Sequence, residues 1–186
     1  MSRLIFAINV TVDGCCDHTQ VIPDEELHSY YRDLIDGSDG ILFGRATYEL
    51  LASHWPSVAK SSRGLDAEVT FARVVTEKPK YVFSRTRDNY SWENSFGVNG
   101  HLSDQVSKLK QQHSGYLVLL ASPSLASSVS RLDFIDEYRL LVQPIVAGRG
   151  PTLFHDVGDR RDLKLVNVQR FNSGVAAMTY VPAISR

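Results

Sequence analysis

The stretch Gly40-Ile41-Leu42-Phe43-Gly44-Arg45-Ala46-Thr47-Tyr48 passes from one kind of structure to another without a linker. Residues 40–43 are a short apolar run, read as a buried strand that Gly44 ends. Residues 45–53 read as a helix with Tyr48 and Leu51 on one face and Trp55-Pro56 closing it. A buried strand feeding directly into a helix is the unit from which helix-covered sheets are built.

The same unit recurs in both directions. Upstream, residues 4–12 are an apolar, β-rich run stopped by the turn dipeptide Asp13-Gly14. Pro23-Asp24-Glu25-Glu26 then opens a helix, because proline fits the first turn and acids complement its unpaired amides. Leu27, Tyr30, Tyr31 and Leu34 follow at helical spacing, and the helix stops near Gly37. Downstream, the pattern predicts a helix over 65–76, a strand at Lys80-Tyr81-Val82-Phe83-Ser84, and a loop with an irregular strand over 88–99. Leu102, Val106 and Leu109 mark a helix over 102–113, and Tyr116-Leu117-Val118-Leu119-Leu120 is a buried strand. Ser122-Pro123-Ser124 opens a helix through Leu125 and Val129. The last third is β-rich, with one strand over 137–146 and two near 163–171 and 175–181 that flank the hairpin loop Asn172-Ser173-Gly174. The expected fold class is α/β: a mixed, mostly parallel central sheet flanked by helices, with a C-terminal antiparallel hairpin.

Composition bounds what such a fold does. The 186 residues show no repeat and no linker, so residues 1–186 are expected to form a single domain. Hydrophobic residues at 43% supply a core, and a net charge of −1 leaves no concentrated basic face for a nucleic-acid partner. The N-terminal apolar run is too short to span a membrane and lacks a cleavage signature, so a cytoplasmic location without membrane association is expected. Cys15 and Cys16 are adjacent, bridge only through a strained ring, and are read as reduced thiols. The six histidines fall into no paired ligand spacing, so no metal is expected.

In sheets of this kind, ligands bind beyond the carboxyl ends of parallel strands, at helix N-termini. Three segments leave a strand and enter such a position. In the first, Gly44 permits close backbone approach, Arg45 offers a permanently charged planar fork and Thr47 a hydroxyl, a combination suited to phosphate. The alternative is a plain strand-to-helix turn with a surface arginine. In the second, Ser84, Arg85 and Thr86 end a buried strand with donors able to grip a phosphate, the alternative being a solvated loop. In the third, Ala121, Ser122, Ser124 and Leu125 lead from strand to helix with amides and hydroxyls able to hold a pyrophosphate; the alternative, compatible with it, is a capped helix with Ser122 as cap and Pro123 at the first helical position.

Asp13 is the candidate acid, placed after a buried strand where desolvation would raise its pKa; an Asp-Gly turn explains the same residues. Asp24 and Glu25 are further candidate acids, the alternative being helix-start acids favoured by the dipole, and Gly148-Arg149-Gly150 reads as a tight turn or a contact for an anionic substrate.

Gly44-Arg45-Ala46-Thr47-Tyr48-Glu49 followed by Trp55-Pro56 resembles the GR-x-TYE…WP signature of the dihydrofolate reductase-like, RibD C-terminal reductases. Val82-Phe83-Ser84-Arg85-Thr86 resembles their VFSRT strand end, and Thr11-Val12-Asp13-Gly14 their S-L-D-G. Asp136-Glu137-Tyr138-Arg139-Leu140, running into Pro144-Ile145-Val146-Ala147-Gly148-Arg149-Gly150-Pro151-Thr152-Leu153-Phe154, resembles their DEYRL…P-x-x-x-G-x-G…LF block. The matches keep the family order from the first strand to Phe154.

The resemblance implies a dihydrofolate reductase-like fold and NADPH as cofactor. Gly44, Arg45 and Thr47 would meet its phosphates, and Ser84, Arg85 and Thr86 its ribose and 2′-phosphate. The turn of Ala121, Ser122, Ser124 and Leu125 would face the pyrophosphate, and Asp13 would lie near nicotinamide and substrate as the catalytic residue. The implied activity is hydride transfer to a small heterocycle, pterin-like or related to riboflavin precursors. The alternative is a non-catalytic dinucleotide-binding or structural protein of the same fold.

One departure stands out. The family carries Gly-Gly or Gly-Ser where this chain has Ala121-Ser122, so a Cβ is expected to crowd the ligand or strain the backbone. A homodimer is expected as well, since β-rich edges need cover and such proteins are often dimeric.

Overall fold

Residues Arg3–Thr11 form β1, the strand around which the rest of the sheet is laid. The computed structural model describes residues 1–61, 66–85, 89–154 and 158–183. After β1 come α1 (Glu25–Asp36), β2 (Gly40–Gly44), α2 (Arg45–Ala52), α3 (Trp55–Ala59), α4 (Ala67–Glu77), β3 (Lys80–Phe83) and β4 (Ser95–Val98). The chain continues through α5 (Leu102–Gln112), β5 (Tyr116–Leu120), α6 (Pro123–Arg131), β6 (Glu137–Gln143), β7 (Leu163–Arg170) and β8 (Ala176–Pro182). These strands make one sheet of eight in the order β4-β3-β2-β5-β1-β6-β8-β7. It is parallel from β4 to β6, and β8 and β7 are antiparallel. The mixed, mostly parallel sheet with its C-terminal hairpin is therefore as the residue pattern predicts.

Alternation within β1 sends side chains to two cores. Ile5 and Ala7 join Leu27, Tyr31, Leu34 and Ile35 of α1 and Phe71 and Val75 of α4 on one face. Leu4, Phe6 and Ile8 join Val106 and Leu109 of α5 and Ala126 and Val129 of α6 on the other. Full burial of each large side chain contributes about 2 kcal/mol. Asp24 caps α1 by accepting from Leu27 N at 2.7 Å, and Asp66 caps α4 by accepting from Glu68 N at 3.0 Å.

Two elements differ from expectation, and a third is located by the sheet. Trp55-Pro56 does not simply close α2 but starts the short α3, with proline in its first turn. The strand expected to reach Val146 ends at Gln143, where Ile145 N turns back onto Gln143 O at 2.7 Å and the chain leaves the ladder. The irregular strand expected within 88–99 is β4, paired in parallel with β3 at the sheet edge. The hairpin loop holds as read: Gly174, at φ 89, donates to Phe171 O, and Phe171 N donates to Val175 O.

Two buried lysines fasten the amino-terminal side. Lys80 is fully buried, and its Nζ donates to the carbonyls of Val75, Thr76 and Lys78 at 2.8–2.9 Å, closing the C-terminus of α4 beneath Trp92. Burial lowers its pKa to about 8. Lys110 Nζ bonds Asp136 Oδ2 at 2.5 Å, and the same oxygen accepts from Leu4 N at 2.7 Å, tying α5 to β1.

Candidate functional site

β1 outruns β5. Their register ends with Ala7 opposite Leu120, Ala121 N then donates to Ala7 O, and β1 continues alone with β6 as far as Thr11 opposite Gln143. From β1 the chain passes to β2 through α1 on one face, and from β5 to β6 through α6 on the other. Adjacent parallel strands whose connections leave on opposite faces open a crevice at their carboxyl ends, the position where such sheets bind ligands.

The third expected segment forms one wall. Ser122 occupies the cap position of α6, but its hydroxyl makes no cap bond. It accepts instead from Gly44 N at 3.0 Å and donates to Leu120 O at 3.1 Å, while the residue is buried. The expectation that Ser122 caps the helix is therefore corrected, because a left-handed backbone at φ 55, ψ 57 turns its side chain toward β2. Ala121 is also left-handed, at φ 48. Two consecutive non-glycine residues there cost about 1–2 kcal/mol each, the strain expected from the departure at this turn.

Gly44, the first segment's glycine, faces that wall. A Cβ on it would stand 3.6 Å from Leu125 Cβ and 3.7 Å from Ser122 Cβ. Both are ordinary van der Waals distances and its φ of −75 is open to any residue, so neither space nor backbone demands the glycine expected to permit close approach here. Arg45 is exposed and lies 3.8 Å from Glu49 one turn on, and Thr47 is half-buried beside buried Tyr48. Both α2 and α6 begin without a side-chain cap, as α3 and α5 do, whereas α1 and α4 are capped by aspartates. Uncapped first-turn amides at the crevice, with an arginine fork beside them, are a donor set suited to phosphate.

β2 and β3 pair with Gly44 opposite Phe83, so Ser84 and Arg85 emerge beside the first segment. Ser84 is buried and Arg85 exposed; Thr86 lies outside the described residues. Ser124 is exposed on the first turn of α6.

Asp13 follows the end of β1 by two residues. Its carboxylate accepts from Thr11 Oγ1 at 2.5 Å, Gly148 N at 2.8 Å and Ala147 N at 3.1 Å, which binds the turn after β1 to the loop after β6. These donors hold its pKa at about 2, below the usual carboxylate value, with the Thr11 hydroxyl the largest cause. The expected upward shift is thus reversed: Asp13 is exposed, and donors to the ionised form outweigh the small desolvation. Alongside it, Cys15 is a buried free thiol, and Cys16 Sγ faces Pro151 O at 3.3 Å, its thiol pKa pushed up by burial. Gly150, at φ 119, has no room for a Cβ, which would meet Cys15 Sγ at 2.6 Å.

Sequence reasoning passes over Asn9 and Gln143. Gln143, 1% exposed, donates through Nε2 to Asn9 Oδ1 at 3.1 Å and accepts Ile22 N at 3.1 Å. The available signal is a polar amide inside the apolar run of β1. Two of the candidate acids, Asp24 and Glu25, line instead a separate hollow of about 480 Å³ with His28, Asp66, Glu68, Pro23 and Ala67, which includes none of the expected cofactor residues nor Asp13. The crevice is the better site, because convergent donors and a strained turn meet there.

The family model described as the RibD C-terminal domain matches residues 3–177. YyaP, an uncharacterised protein of Bacillus subtilis, is 32% identical over 183 residues, covering 96% of this chain and 94% of its own. Among solved structures, a Shewanella sp. PV-4 protein provisionally assigned to riboflavin biosynthesis is similar with a TM-score of 0.75 at 19% identity, covering 99% of this chain and 100% of that one. A pyrimidine reductase-like protein of Corynebacterium diphtheriae follows with a TM-score of 0.68 at 11% identity, covering 99% and 93%. At such identities the structural likeness speaks for the fold.

Proposed function

The chain belongs to the RibD C-terminal domain family, and from that premise we propose that it is an NADPH-dependent reductase of a small heterocyclic substrate. The observation that carries this reading is the joining of the turns after β2 and β5 by Ser122 and Gly44 at the switch-point crevice. Bound there, the dinucleotide would supply a hydride, and the protein's part is to hold, orient and shield the reactants. Arg45 and Thr47, with the first amides of α2, hold phosphate. Ser84, Arg85 and Thr86 hold the 2′-phosphate, which favours NADPH over NADH. Ala121, Ser122, Ser124 and Leu125 border the pyrophosphate.

Asp13 serves as an ionised anchor for the 147–148 loop and as a negative charge near the substrate, and the transferred proton comes from solvent. The substrate is pterin-like or related to riboflavin precursors.

The protein works as a cytoplasmic homodimer. Every residue of edge strand β7 is exposed, and Leu163, Leu165, Val166 and Val168 present an apolar strip that a second copy covers. No described helix is long and apolar enough to cross a membrane.

The test is a thermal-shift titration with NADPH and NADH on wild type, Arg45→Ala and Arg85→Ala. Stabilisation by NADPH that weakens in both variants supports the reading, and no shift with either nucleotide overturns it. A non-catalytic dinucleotide binder is the second reading, favoured by a candidate acid that is already ionised. NADPH oxidation with any heterocycle of a screening panel eliminates it.

A further inference from the structure

We propose that Asn9 is a specificity-determining residue of the crevice, offering a fixed hydrogen-bond donor to a carbonyl on the substrate ring, and that Gln143 is the positioning residue that fixes it. The inference rests on the reductase reading above and names a recognition element within the same site.

The orientation follows from one group that has no choice. The backbone N–H of Ile22 can only donate, so the amide oxygen of Gln143 must face it, at 3.1 Å. Gln143 Nε2 is then committed as the donor to Asn9 Oδ1, at 3.1 Å. Because Gln143 is 1% exposed at the end of β6, neither amide can turn over without leaving a buried polar group unpaired. Asn9 therefore turns its nitrogen away from Gln143, and among the described residues that nitrogen has no partner.

Its position suits recognition. Asn9 has the strand parity of Ile5 and Ala7 and lies two residues beyond Ala7, where β5 has left the ladder. It is half-buried, so its donor is held in place yet reachable. A ring carbonyl placed against it is satisfied in the ring plane. An amino substituent at the same position would set donor against donor and lose its solvent bond without replacement.

Two matched probes test this, diaminouracil and tetraaminopyrimidine, which differ in carrying ring carbonyls or amino groups at the same positions. Binding is measured by calorimetry in saturating NADPH for wild type, Asn9→Asp and Gln143→Glu. Asn9→Asp keeps the acceptor for Gln143 and converts the outward donor into an acceptor. Gln143→Glu removes the N–H that Asn9 accepts, so Asn9 must reverse and present its oxygen, although Gln143 itself never meets the probe. Wild type is expected to favour diaminouracil roughly tenfold, and both variants to reverse that preference.

A general loss of structure would weaken both probes together without reversing their order. Equal affinity for the two probes in wild type, binding of neither at millimolar concentration, or an unchanged ratio in Asn9→Asp overturns the proposal. If Gln143→Glu does not fold, Asn9→Asp alone decides. The NADPH thermal shift, read in parallel, separates the two levels. Its absence overturns the reductase reading and this inference with it, and its presence with an unreversed preference overturns this inference alone.

Discussion

Ser122 Oγ accepts the Gly44 amide at 3.0 Å, so the turns that follow β5 and β2 move as one body. The same hydroxyl donates its one proton to Leu120 O, so it has none to offer a ligand.

Ser122→Ala is expected to destabilise the protein by about 1–2 kcal/mol and to weaken NADPH binding, because it leaves the Gly44 amide unpaired. Ala121→Gly is expected to do the opposite. It relieves a left-handed alanine and clears a Cβ from the phosphate path, so both melting temperature and NADPH affinity rise. Thermal unfolding with and without NADPH reads both.

Asp13 controls a loop, and its pH window follows from its shift. The folded pKa, about 2, lies below the unfolded 3.8, so the stability it confers is complete above the unfolded value. It fades as pH falls through about 2. Hydrogen exchange should find the Ala147 and Gly148 amides protected in wild type and exposed in Asp13→Asn. The pH–rate profile of wild type should carry no limb near neutrality from this residue.

Lys80 gives a second window, at high pH and with the same sign. Its folded pKa, about 8, lies below the unfolded 10.5, so the folded state sheds a proton first as pH rises. Between those values the unfolded chain binds more protons, and wild-type stability climbs with pH relative to Lys80→Met. At neutral pH, Lys80→Met is expected to be less stable by about 1–3 kcal/mol because three helix-terminal carbonyls lose their donor. Urea unfolding across this range checks both sign and size.

Lys110→Ala is expected to cost about 1–3 kcal/mol, discounted from a fully buried pair because Asp136 is 41% exposed. A double-mutant cycle with Asp136→Ala should show clear coupling in urea midpoints.

Val168→Lys, at a residue 52% exposed on the β7 edge, is expected to convert the proposed dimer to monomer without unfolding it. Light scattering at micromolar concentration reads the mass; an unchanged dimer places the interface elsewhere.

Much of the fold is legible in the residues because each parallel strand is short, apolar and followed at once by helix signals. Asp24 announces α1, and Gly174 the hairpin. What escapes is long-range. The Asp13-Gly14 dipeptide reads the same whether the carboxylate meets water or the amides of Ala147 and Gly148, 134 and 135 positions away. Ser122 looks like a cap because serine before proline usually is one, and only the left-handed backbone redirects it. Lys80 reads only as the first residue of a strand, and nothing in the strand pattern shows that its ammonium turns back onto the carbonyls of Val75, Thr76 and Lys78. Asn9 hides in an apolar run, and its meaning depends on Gln143 and Ile22 from two other segments.

The central place of β1 also sets an order of events in time. β1 has no strand neighbours until β5 and β6 have been made, and its bond from Leu4 to Asp136 spans 132 positions. Closing loops of that length before any ladder reward makes for slow folding. During synthesis the apolar edges of β1 therefore stay uncovered through most of elongation, the interval in which a chaperone would have most to protect.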